Sequence, residues 1–302
     1  MTKRKNSKKR KNIKIKLPFG VIVTLIIVGL IVIGCWVYLH PDDAKNYFQT
    51  QAEKIFGKTT RPASPLPSTN GSDNLAFGIP GPADTIDTII DREGYALGYI
   101  EYHEQPAWVI YHMTYDEATT KATSRNDNFR EDPEIPSGSA TLADYRGSGY
   151  DRGHLAPAAD MVFSIKTMDE SFYMSNMSPQ KGEFNRGIWK DLEAQVRSFA
   201  ISEKDIFVVT GPILPKTKTI TIGANKVTVP DAYYKVVYDR TPPEKMIGFI
   251  LPNAGSSKSL QDFSVTVDAV EAATGLDFFN LLPQPQQEQL ESSIDINAWN
   301  WQ

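Results

Sequence analysis

The chain has 302 residues, enough for one large domain or two small ones with a substantial core. Hydrophobic residues make up 41% and charged residues 23%, an ordinary globular composition, and the formal net charge is −4. Nine of the 32 Lys and Arg residues lie in residues 1–17, where no acidic residue occurs, so the remainder of the chain is acidic. Such a remainder argues against broad, passive binding to nucleic acid, but it leaves room for a small basic cleft.

A run of uncharged residues, 19–39, follows the basic segment. As a helix rising about 1.5 Å per residue, it is long enough to cross the roughly 30 Å hydrocarbon core of a bilayer. We therefore predict a basic cytoplasmic tail (1–17), a single transmembrane helix (18–39) and, by the positive-inside rule, an extracytoplasmic remainder. The bacterial cell envelope is the favoured location, and the mitochondrial inner membrane is the alternative.

Two other interpretations of the apolar run stay open. A cleaved signal peptide is disfavoured because its apolar region normally has only about 7–15 residues. Residues 32–35 (VIGC) resemble a bacterial lipoprotein processing site at Cys35, although Trp36 is unusual directly after it. Cys35 is the only cysteine, so the exported part of the chain has no thiol for a disulfide, a nucleophile or a metal site.

The segment after the apolar run is predicted to be a juxtamembrane segment and linker (40–75). Its second half, 58–74, is rich in Pro, Ser and Thr and poor in large apolar side chains, which is typical of a linker. Residues 76–302 have a globular texture and are predicted to form the functional domain.

Strands and helices are mixed along this domain. Aromatic and β-branched runs on either side of residues 104–106 predict a β-hairpin. An apolar residue recurs at every fourth position from Phe184 to Val196, which predicts a helix beginning near Phe184. A last helix is predicted to end at Gly275. Further strands are predicted at DIFVVTGPIL, NKVTVPDAYYKVVYD and KMIGFILP. This order indicates an α+β fold around a mainly antiparallel sheet.

Residues 145–161 (YRGSGYDRGHLAPAADM) contain the most informative of the four histidines. A lone histidine is usually structural or exposed, and the three at the membrane boundary and in the predicted hairpin fit that interpretation. His154 differs, because Arg152 stands two positions before it and nearby glycines allow a close backbone approach to a ligand. Imidazole can take a proton from water near neutral pH, and guanidinium matches phosphate geometry. The pair indicates phosphodiester hydrolysis.

Such hydrolysis usually needs a cation that stabilises charge on the phosphate. Without cysteines or a histidine cluster zinc is disfavoured, whereas Mg²⁺ prefers oxygen ligands and keeps much of its water. Asn185, in the first turn of the predicted helix, and Glu193, two turns later on broadly the same side, are the candidate metal residues. Mn²⁺ is the alternative ion. Either residue alone would more commonly be an ordinary surface side chain.

Three blocks of the sequence resemble the DNA/RNA non-specific endonucleases, a family that includes mitochondrial endonuclease G and secreted or membrane-anchored bacterial nucleases. The blocks are YDRGHLAPAADM, FYMSNMSPQ and FNRGIWKDLE. With the flanking segments FGIPG, the predicted hairpin, RNDNFREDP and VEAATGLDFF, the resemblance covers roughly residues 76–282. It implies a ββα-metal (His-Me finger) core, in which a β-hairpin and a helix hold the metal site. The predicted fold is therefore α+β with this core, preceded by a single transmembrane helix.

The resemblance also implies roles for individual residues. His154 corresponds to the general base that activates water. Asn185 corresponds to the single direct Mg²⁺ ligand, and Glu193 to the residue that holds a metal-bound water. Arg125 and Arg152 correspond to arginines near the scissile phosphate.

Two further residues of the matched blocks receive roles in the same way. Asn176 corresponds to an asparagine that braces the site, and it completes the catalytic set with His154, Arg125, Arg152 and Glu193. Asp151 is expected to order its loop rather than to take part in the chemistry.

Together these assignments imply a membrane-anchored, Mg²⁺-dependent, sugar-non-specific endonuclease that hydrolyses DNA and RNA to 5′-phosphate ends. The expected partners are DNA and RNA as substrates and the membrane through residues 18–39, and a homodimer is compatible with the sequence. Two alternatives stay open: a nucleic-acid-binding or uptake receptor without catalysis, and a phosphodiesterase that acts on small molecules. A receptor would be marked by the loss of His154 or Asn185, and both are present.

Overall fold

A seven-stranded antiparallel sheet organises the part of the chain that the computed structural model describes, residues 72–82 and 85–302. The strands, in chain order, are β1 (Thr88–Asp91), β2 (Ala96–Ile100), β3 (Gln105–Thr114), β4 (Tyr150–His154), β5 (Met177–Lys181), β6 (Asp205–Ile213), β7 (Thr221–Ile222), β8 (Val227–Thr228), β9 (Ala232–Asp239), β10 (Lys245–Pro252) and β11 (Ser264–Val265). The large sheet has the order β1-β2-β3-β6-β9-β10-β11. In addition, β4 pairs with β5 and β7 with β8, both antiparallel.

The helices that connect these strands are mostly short. In chain order they are α1 (Tyr115–Thr119), α2 (Leu142–Tyr145), α3 (Ile165–Glu170), α4 (Gly182–Asn185), α5 (Ile188–Glu203), α6 (Val267–Thr274) and α7 (Gln284–Glu291). Single 3₁₀ turns lie at Met174–Asn176, Leu260–Phe263 and Ile296–Ala298. With 16 residues, α5 is the longest helix in the described ranges, and it packs along one face of the large sheet.

Both faces of the large sheet are covered, so successive residues of its central strands are buried in two different cores. On β3, Val109 and Tyr111 pack against the apolar side of α5, whereas Trp108 and Ile110 lie in the core that α6 covers. Side chains alternate across a strand, so two-sided burial requires apolar residues at nearly every position. This explains why β3, β6 and β9 read as continuous apolar runs.

The large sheet confirms the strand predictions. β2 and β3 form the predicted hairpin, and β6, β9 and β10 lie in the three other segments predicted as strands. The last predicted helix is α6, which begins after the side-chain cap of Thr266 and ends before Gly275 in the left-handed conformation. Helix α7 was not predicted, because its sequence QPQQEQLE has no apolar stripe.

The predicted helix at Phe184 is wrong in its start. Phe184 and Asn185 belong to the single turn α4, and α5 begins only at Ile188. Gly187 separates the two helices, and a Cβ at this position would lie 2.5 Å from the backbone oxygen of Glu183. Asn185 is therefore outside the first turn of α5. Its direction relative to the helix that carries Glu193 is set by this break and not by helical periodicity.

The first described residues correct the predicted end of the linker at residue 75. Asn74 is buried, its amide oxygen accepts the backbone N–H of His112, and its amide nitrogen donates to the carbonyl of Arg92. The Ser72 hydroxyl donates to the Asp91 carboxylate at 2.7 Å. These side chains satisfy polar groups of the sheet, so residues 72–75 belong to the domain.

The predicted basic tail (1–17) and transmembrane helix (18–39) lie outside the described residues, and both stay predictions. Within residues 72–82 and 85–302, no helix combines the length and the apolar character needed to cross a bilayer.

A small unit of one hairpin-like sheet and two helices has the arrangement that the ββα-metal core implies. β4 pairs with β5 from Tyr150↔Lys181 to His154↔Met177, and α4 and α5 follow β5 directly. Strand β4 ends at His154 and α4 ends at Asn185, so this unit carries the predicted base and the predicted metal ligand.

Candidate active site

An open cavity of about 490 Å³ lies beside strand β4. Its lining residues are Arg125, Asp127, Phe129, Leu142, Tyr145, Arg146, Tyr150, Asp151, Arg152 and Asn185. Three of them are arginines, and the two aspartates are each engaged by an arginine, Asp127 by Arg125 and Asp151 by Arg186. Neither Arg146 nor Arg152 forms an ion pair with any described residue. The cavity therefore offers cationic groups to an anionic ligand such as phosphate.

His154 is buried at the end of β4, with 8% of its surface exposed. Its ring contacts the edges of Phe172 and Phe129, with centroid distances of 5.0 and 5.6 Å. The Nε2 atom is buried and has no hydrogen-bond partner within the described residues. Burial, assisted by the positive charges of Arg125 and Arg152, lowers the pKa of His154 to about 3. The imidazole is therefore neutral near pH 7, which is the form that accepts a proton.

The backbone on both sides of His154 is tightly constrained. Gly153 precedes it, and a Cβ at that position would lie 2.1 Å from the Gln180 side chain on the paired strand β5. After it, the Asn176 amide accepts from the N–H of Ala156 and donates to the carbonyls of Ala156 and Ser171, all at 2.9 Å. These contacts fix the direction of the chain that carries the imidazole.

Asn176, which the sequence placed in the catalytic set, has no surface exposed to the cavity. It is fully buried, and both its amide oxygen and its amide nitrogen have backbone partners. The bracing role that the resemblance implies for Asn176 stays a prediction. The hydrogen bonds of Asn176 reach the backbone of Ala156, two residues after His154.

Asp151 and Arg186 orient the amide of Asn185. The Asp151 carboxylate accepts from Asn185 Nδ2 at 2.9 Å and from Arg186 Nε and Nη2 at 2.8 and 2.9 Å. The hydrogen bond from Arg186 is the main reason that the pKa of Asp151 is lowered. Since Nδ2 is engaged, Oδ1 is the remaining acceptor of the Asn185 amide. Asp151 was predicted only to order its loop, whereas in the structure its carboxylate also orients the Asn185 side chain.

The donor set around Asn185 fits a hard divalent cation. Asn185 Oδ1 has no hydrogen-bond partner within the described chain, and the residue is half-buried at the edge of the cavity. The carboxylate of Asp151 is already paired with Arg186, which makes it the weaker candidate for a direct ligand. One amide oxygen with open space beside it suits an ion such as Mg²⁺, which keeps several of its waters.

Glu193 lies on α5 and is not among the residues that line the cavity, although the charge of the lining residue Arg125 acts on its carboxyl. It is half-buried in a charged cluster between α5 and the large sheet, and this burial raises the pKa of its carboxyl. The buried ammonium of Lys235, on β9, opposes this rise, and it lies 4.8 Å from the ring of Trp189. The side chain of Arg197 reaches Asp160 at 2.7 Å in the same cluster.

The sequence missed this charged cluster, although part of its signal is present. Trp189, Glu193 and Arg197 are spaced four residues apart on α5, so they lie on one side of the helix. Two charged residues on that side distinguish it from a purely apolar stripe. The contributions of Asp160 and Lys235 come from distant segments and leave no local pattern.

Two phenylalanines, also missed, connect the base to the arginines. Phe129 and Phe172 contact each other edge to face, with ring centroids 4.9 Å apart. The guanidinium of Arg152 lies 4.2 Å from the Phe129 ring centroid, and that of Arg125 lies 4.9 Å from that of Phe172. Both rings also contact His154. The predicted arginines and the predicted base therefore share one aromatic support.

The sequence profile of the DNA/RNA non-specific endonucleases matches residues 70–285, which is more than half of the chain. The chain belongs to the DNA/RNA non-specific endonuclease family. It is therefore a nuclease, an enzyme that hydrolyses phosphodiester bonds of nucleic acids, and the predicted enzyme class is confirmed.

Named members of this endonuclease family are similar to most of the chain. It is 39% identical to nuclease C1 of Cunninghamella echinulata over 231 residues, which cover 71% of this chain and 90% of that protein. It is 35% identical to a mitochondrial nuclease of Saccharomyces cerevisiae over 270 residues, which cover 80% and 81% of the two chains.

A solved structure supports the same family fold. A chain in a crystal structure of an EndoG/EndoGI complex matches with a TM-score of 0.64 and 33% sequence identity, covering 74% of this chain and 96% of that one. The predicted α+β fold with a mainly antiparallel sheet is confirmed by the strand pairing and by this similarity.

Proposed function

We propose that this nuclease is an Mg²⁺-dependent endonuclease that cleaves both DNA and RNA, with His154 as the general base. The observation that carries the proposal is the neutral, buried imidazole whose free Nε2 lies in the electrostatic field of Arg125 and Arg152, in the same small unit as Asn185. A proton acceptor, cationic groups for phosphate and an oxygen donor for a cation are the parts that phosphodiester hydrolysis needs.

The low pKa of His154 in the free protein is compatible with a general base. An imidazole with a pKa of about 3 is a weak base, first because it is buried and second because two guanidinium charges lie nearby. A bound phosphodiester brings a negative charge that offsets these guanidinium groups, so substrate binding raises the affinity of Nε2 for a proton. His154 then takes a proton from the attacking water only when the substrate is in place.

Arg125 and Arg152 bind the phosphate and counter the charge that develops on it, and Arg146 is a third cation available in the cavity. Phosphate is common to DNA and RNA and carries no base identity, which supports cleavage of both. Water attack on phosphorus opposite the 3′-oxygen leaves 5′-phosphate and 3′-hydroxyl ends.

Asn185 Oδ1 is the proposed direct ligand of Mg²⁺, with Mn²⁺ as a substitute, and Glu193 acts through a water of the ion's shell. When bound, the ion stabilises negative charge on the leaving 3′-oxygen. Asp151 and Arg186 keep the Asn185 amide turned so that its oxygen stays free.

For the whole chain, we propose that residues 18–39 anchor the enzyme in a membrane of the bacterial cell envelope, with residues 1–17 in the cytoplasm. The catalytic domain is then extracytoplasmic. The uncharged run and the basic block before it support this orientation. A homodimer of the domain is part of the same proposal, and sedimentation of the purified chain tests it.

Digestion of plasmid DNA and of a transcribed RNA, with Mg²⁺ and with EDTA, tests the proposed activity. We expect both substrates to be cut with Mg²⁺ and neither with EDTA, and 5′-end labelling after phosphatase treatment to detect 5′-phosphates. Undiminished cutting in EDTA would refute the metal dependence. Hydrolysis of a small phosphodiester without any cutting of DNA or RNA would favour the small-molecule phosphodiesterase instead.

A further inference from the structure

Three carboxylates converge where helix α6 meets the end of helix α7, on the face of the large sheet opposite α5. They belong to Asp268 and Glu271 on α6 and to Glu291, the last residue of α7. One oxygen from each residue lies within 4.8 Å of the others. Such oxygens are close enough to bind one cation together.

Glu291 provides a second, independent observation. Only 4% of its surface is exposed, and its Oε1 atom is buried without a hydrogen-bond partner in the described ranges. A buried carboxylate oxygen without a partner is strongly unfavourable unless a cation or a donor compensates it. The Gln287 side chain hydrogen-bonds this carboxylate, and Oε1 is the oxygen that is left without a partner.

The charge around the cluster is uncompensated by side chains. No Lys or Arg of residues 72–82 and 85–302 forms an ion pair with Asp268, Glu271 or Glu291, and Asp277 adds a fourth negative charge nearby. Glu271 Oε1 accepts the backbone N–H of Phe278 at 2.8 Å, which leaves its second oxygen for another partner. A positive charge from outside the protein would satisfy all of these groups.

We infer that Asp268, Glu271 and Glu291 form a second cation site, which binds a hard divalent ion of the Ca²⁺ class and is separate from the catalytic metal site. Ca²⁺ takes six to eight oxygen ligands in flexible geometry, which suits carboxylates from two different helices. Asp268 is exposed, so water can reach the ion and complete its coordination. Mg²⁺ requires a more regular octahedral coordination, so we expect it to bind this site more weakly than Ca²⁺.

The ion would stabilise the position of the C-terminal segment, which passes from the core covered by α6 to the core covered by α5. Leu290, on α7, packs in the core covered by α6, whereas Trp299 packs in the α5 core against Phe199, with ring centroids 4.7 Å apart. A cation that joins the start of α6 to the end of α7 holds this segment where it leaves the first core. We therefore assign the site a stabilising role and no part in the chemistry.

Ca²⁺ titration calorimetry and thermal melting of the full chain test the site. Asn185→Ala is included in every variant so that the proposed catalytic ion does not contribute. We expect one equivalent of Ca²⁺ to bind and to raise Tm. Glu291→Gln should lower the Ca²⁺ affinity at least tenfold and abolish the rise. Glu288→Gln, an exposed neighbour on α7 that removes the same charge, should leave both unchanged.

Protonation is the alternative way to reduce the negative charge of the cluster, since burial raises the pKa of Glu271 to about 7 and that of Glu291 to about 8. Absence of a Ca²⁺ isotherm at pH 8.5, where both carboxyls are mostly ionised, overturns the inference in favour of protonation. Equal affinity in the Glu291→Gln and Glu288→Gln chains also overturns it. If Glu291→Gln does not fold, the exposed variant Asp268→Asn gives the same comparison.

Discussion

His154 is buried and yet has one ring nitrogen without a hydrogen-bond partner among the described residues. A structural histidine of this chain looks different: His103 is also buried, but its Nδ1 lies 2.9 Å from the Thr228 hydroxyl. An unpartnered buried nitrogen is unfavourable in the free protein, and it is useful only if a substrate or water completes it.

We therefore expect His154→Ala to lower turnover of duplex DNA by at least about 10²-fold, the usual contribution of a positioned general base. Binding should change little, because a neutral imidazole adds little attraction for phosphate. Single-turnover cleavage and filter binding measure the two quantities. His103→Ala removes a second buried imidazole and should keep its turnover, and equal losses in both variants would indicate a structural effect.

The burial of His154 makes the free energy of unfolding depend on pH. In the unfolded chain His154 takes up a proton below about pH 6.5, but in the folded protein only near pH 3. The unfolded state thus binds more protons between these values, so the free energy of unfolding falls as the pH drops through this window.

At pH 5 the contribution of His154 is a loss of about 2 kcal/mol relative to pH 7. In His154→Ala the decrease in the free energy of unfolding from pH 7 to pH 5 should be smaller by about that amount. Urea unfolding of both chains at the two pH values measures it. An identical decrease in both chains would mean that the imidazole is protonated in the folded state.

At the scale of elements, the break between α4 and α5 separates the two proposed metal residues. Asn185 ends the short helix and is held by Asp151, whereas Glu193 is on the long helix, where the charge of Lys235 acts on its carboxyl. The direct ligand therefore depends on local hydrogen bonds, and the second residue depends on the packing of α5 against the sheet.

Asn185→Ala should raise the Mg²⁺ concentration needed for half-maximal cleavage, because it deletes the proposed direct ligand. Glu193→Gln should change this concentration less and still slow the reaction, since it would act through water, where such losses are commonly 10–100-fold. Mg²⁺ titrations of initial rates separate the effects. Curves that overlay that of the parent chain in both variants would place the ion elsewhere.

The same elements show what could be predicted from the sequence. Strands β3, β6 and β9 were predictable because two-sided burial demands long apolar runs. The start of α5 was not, because the four-residue apolar repeat passes through the break: Phe184 and Ile188 are both buried although they lie in different helices. Only the crowded backbone at Gly187 marks the interruption, and such crowding cannot be read from composition.

Among the site residues, those within one motif were the easiest to predict. Asp151, Arg152 and His154 are adjacent on β4, so their proximity follows from the sequence. The contact of Phe129 with Phe172, and the electrostatic effect of Lys235 on Glu193, join segments far apart in the chain. Pairings of this kind depend on tertiary packing and leave no local signal.

At the scale of the whole molecule, the domain begins before the predicted boundary. A fragment covering residues 72–302 should fold and cleave DNA with Mg²⁺. A fragment starting at Leu75 loses the hydrogen bonds that join the buried Asn74 side chain to the backbone of Arg92 and His112, and it should be less stable by about 1–3 kcal/mol. Urea unfolding compares the two. Equal stability would show that residues 72–74 contribute nothing.

Membrane topology is tested on the full chain. The uncharged run and the preceding bases predict that protease added to intact spheroplasts removes the nuclease domain and spares residues 1–17. Epitope tags at the N-terminus and the C-terminus of the chain show which end the protease has reached. A domain that is protected until the membrane is permeabilised would reverse the orientation.

Finally, the guanidinium groups of Arg125 and Arg152 lie against phenylalanine rings. Immobilising a long side chain on binding ordinarily costs about 0.5–1.5 kcal/mol of conformational entropy. With Arg125 and Arg152 as the proposed phosphate ligands, we expect much of that ordering to happen when the protein folds, so that an arriving phosphate meets preorganised guanidinium groups. Preorganisation lets few cations hold a nucleic acid on an otherwise acidic protein, without the extended basic track that would slow the release of product.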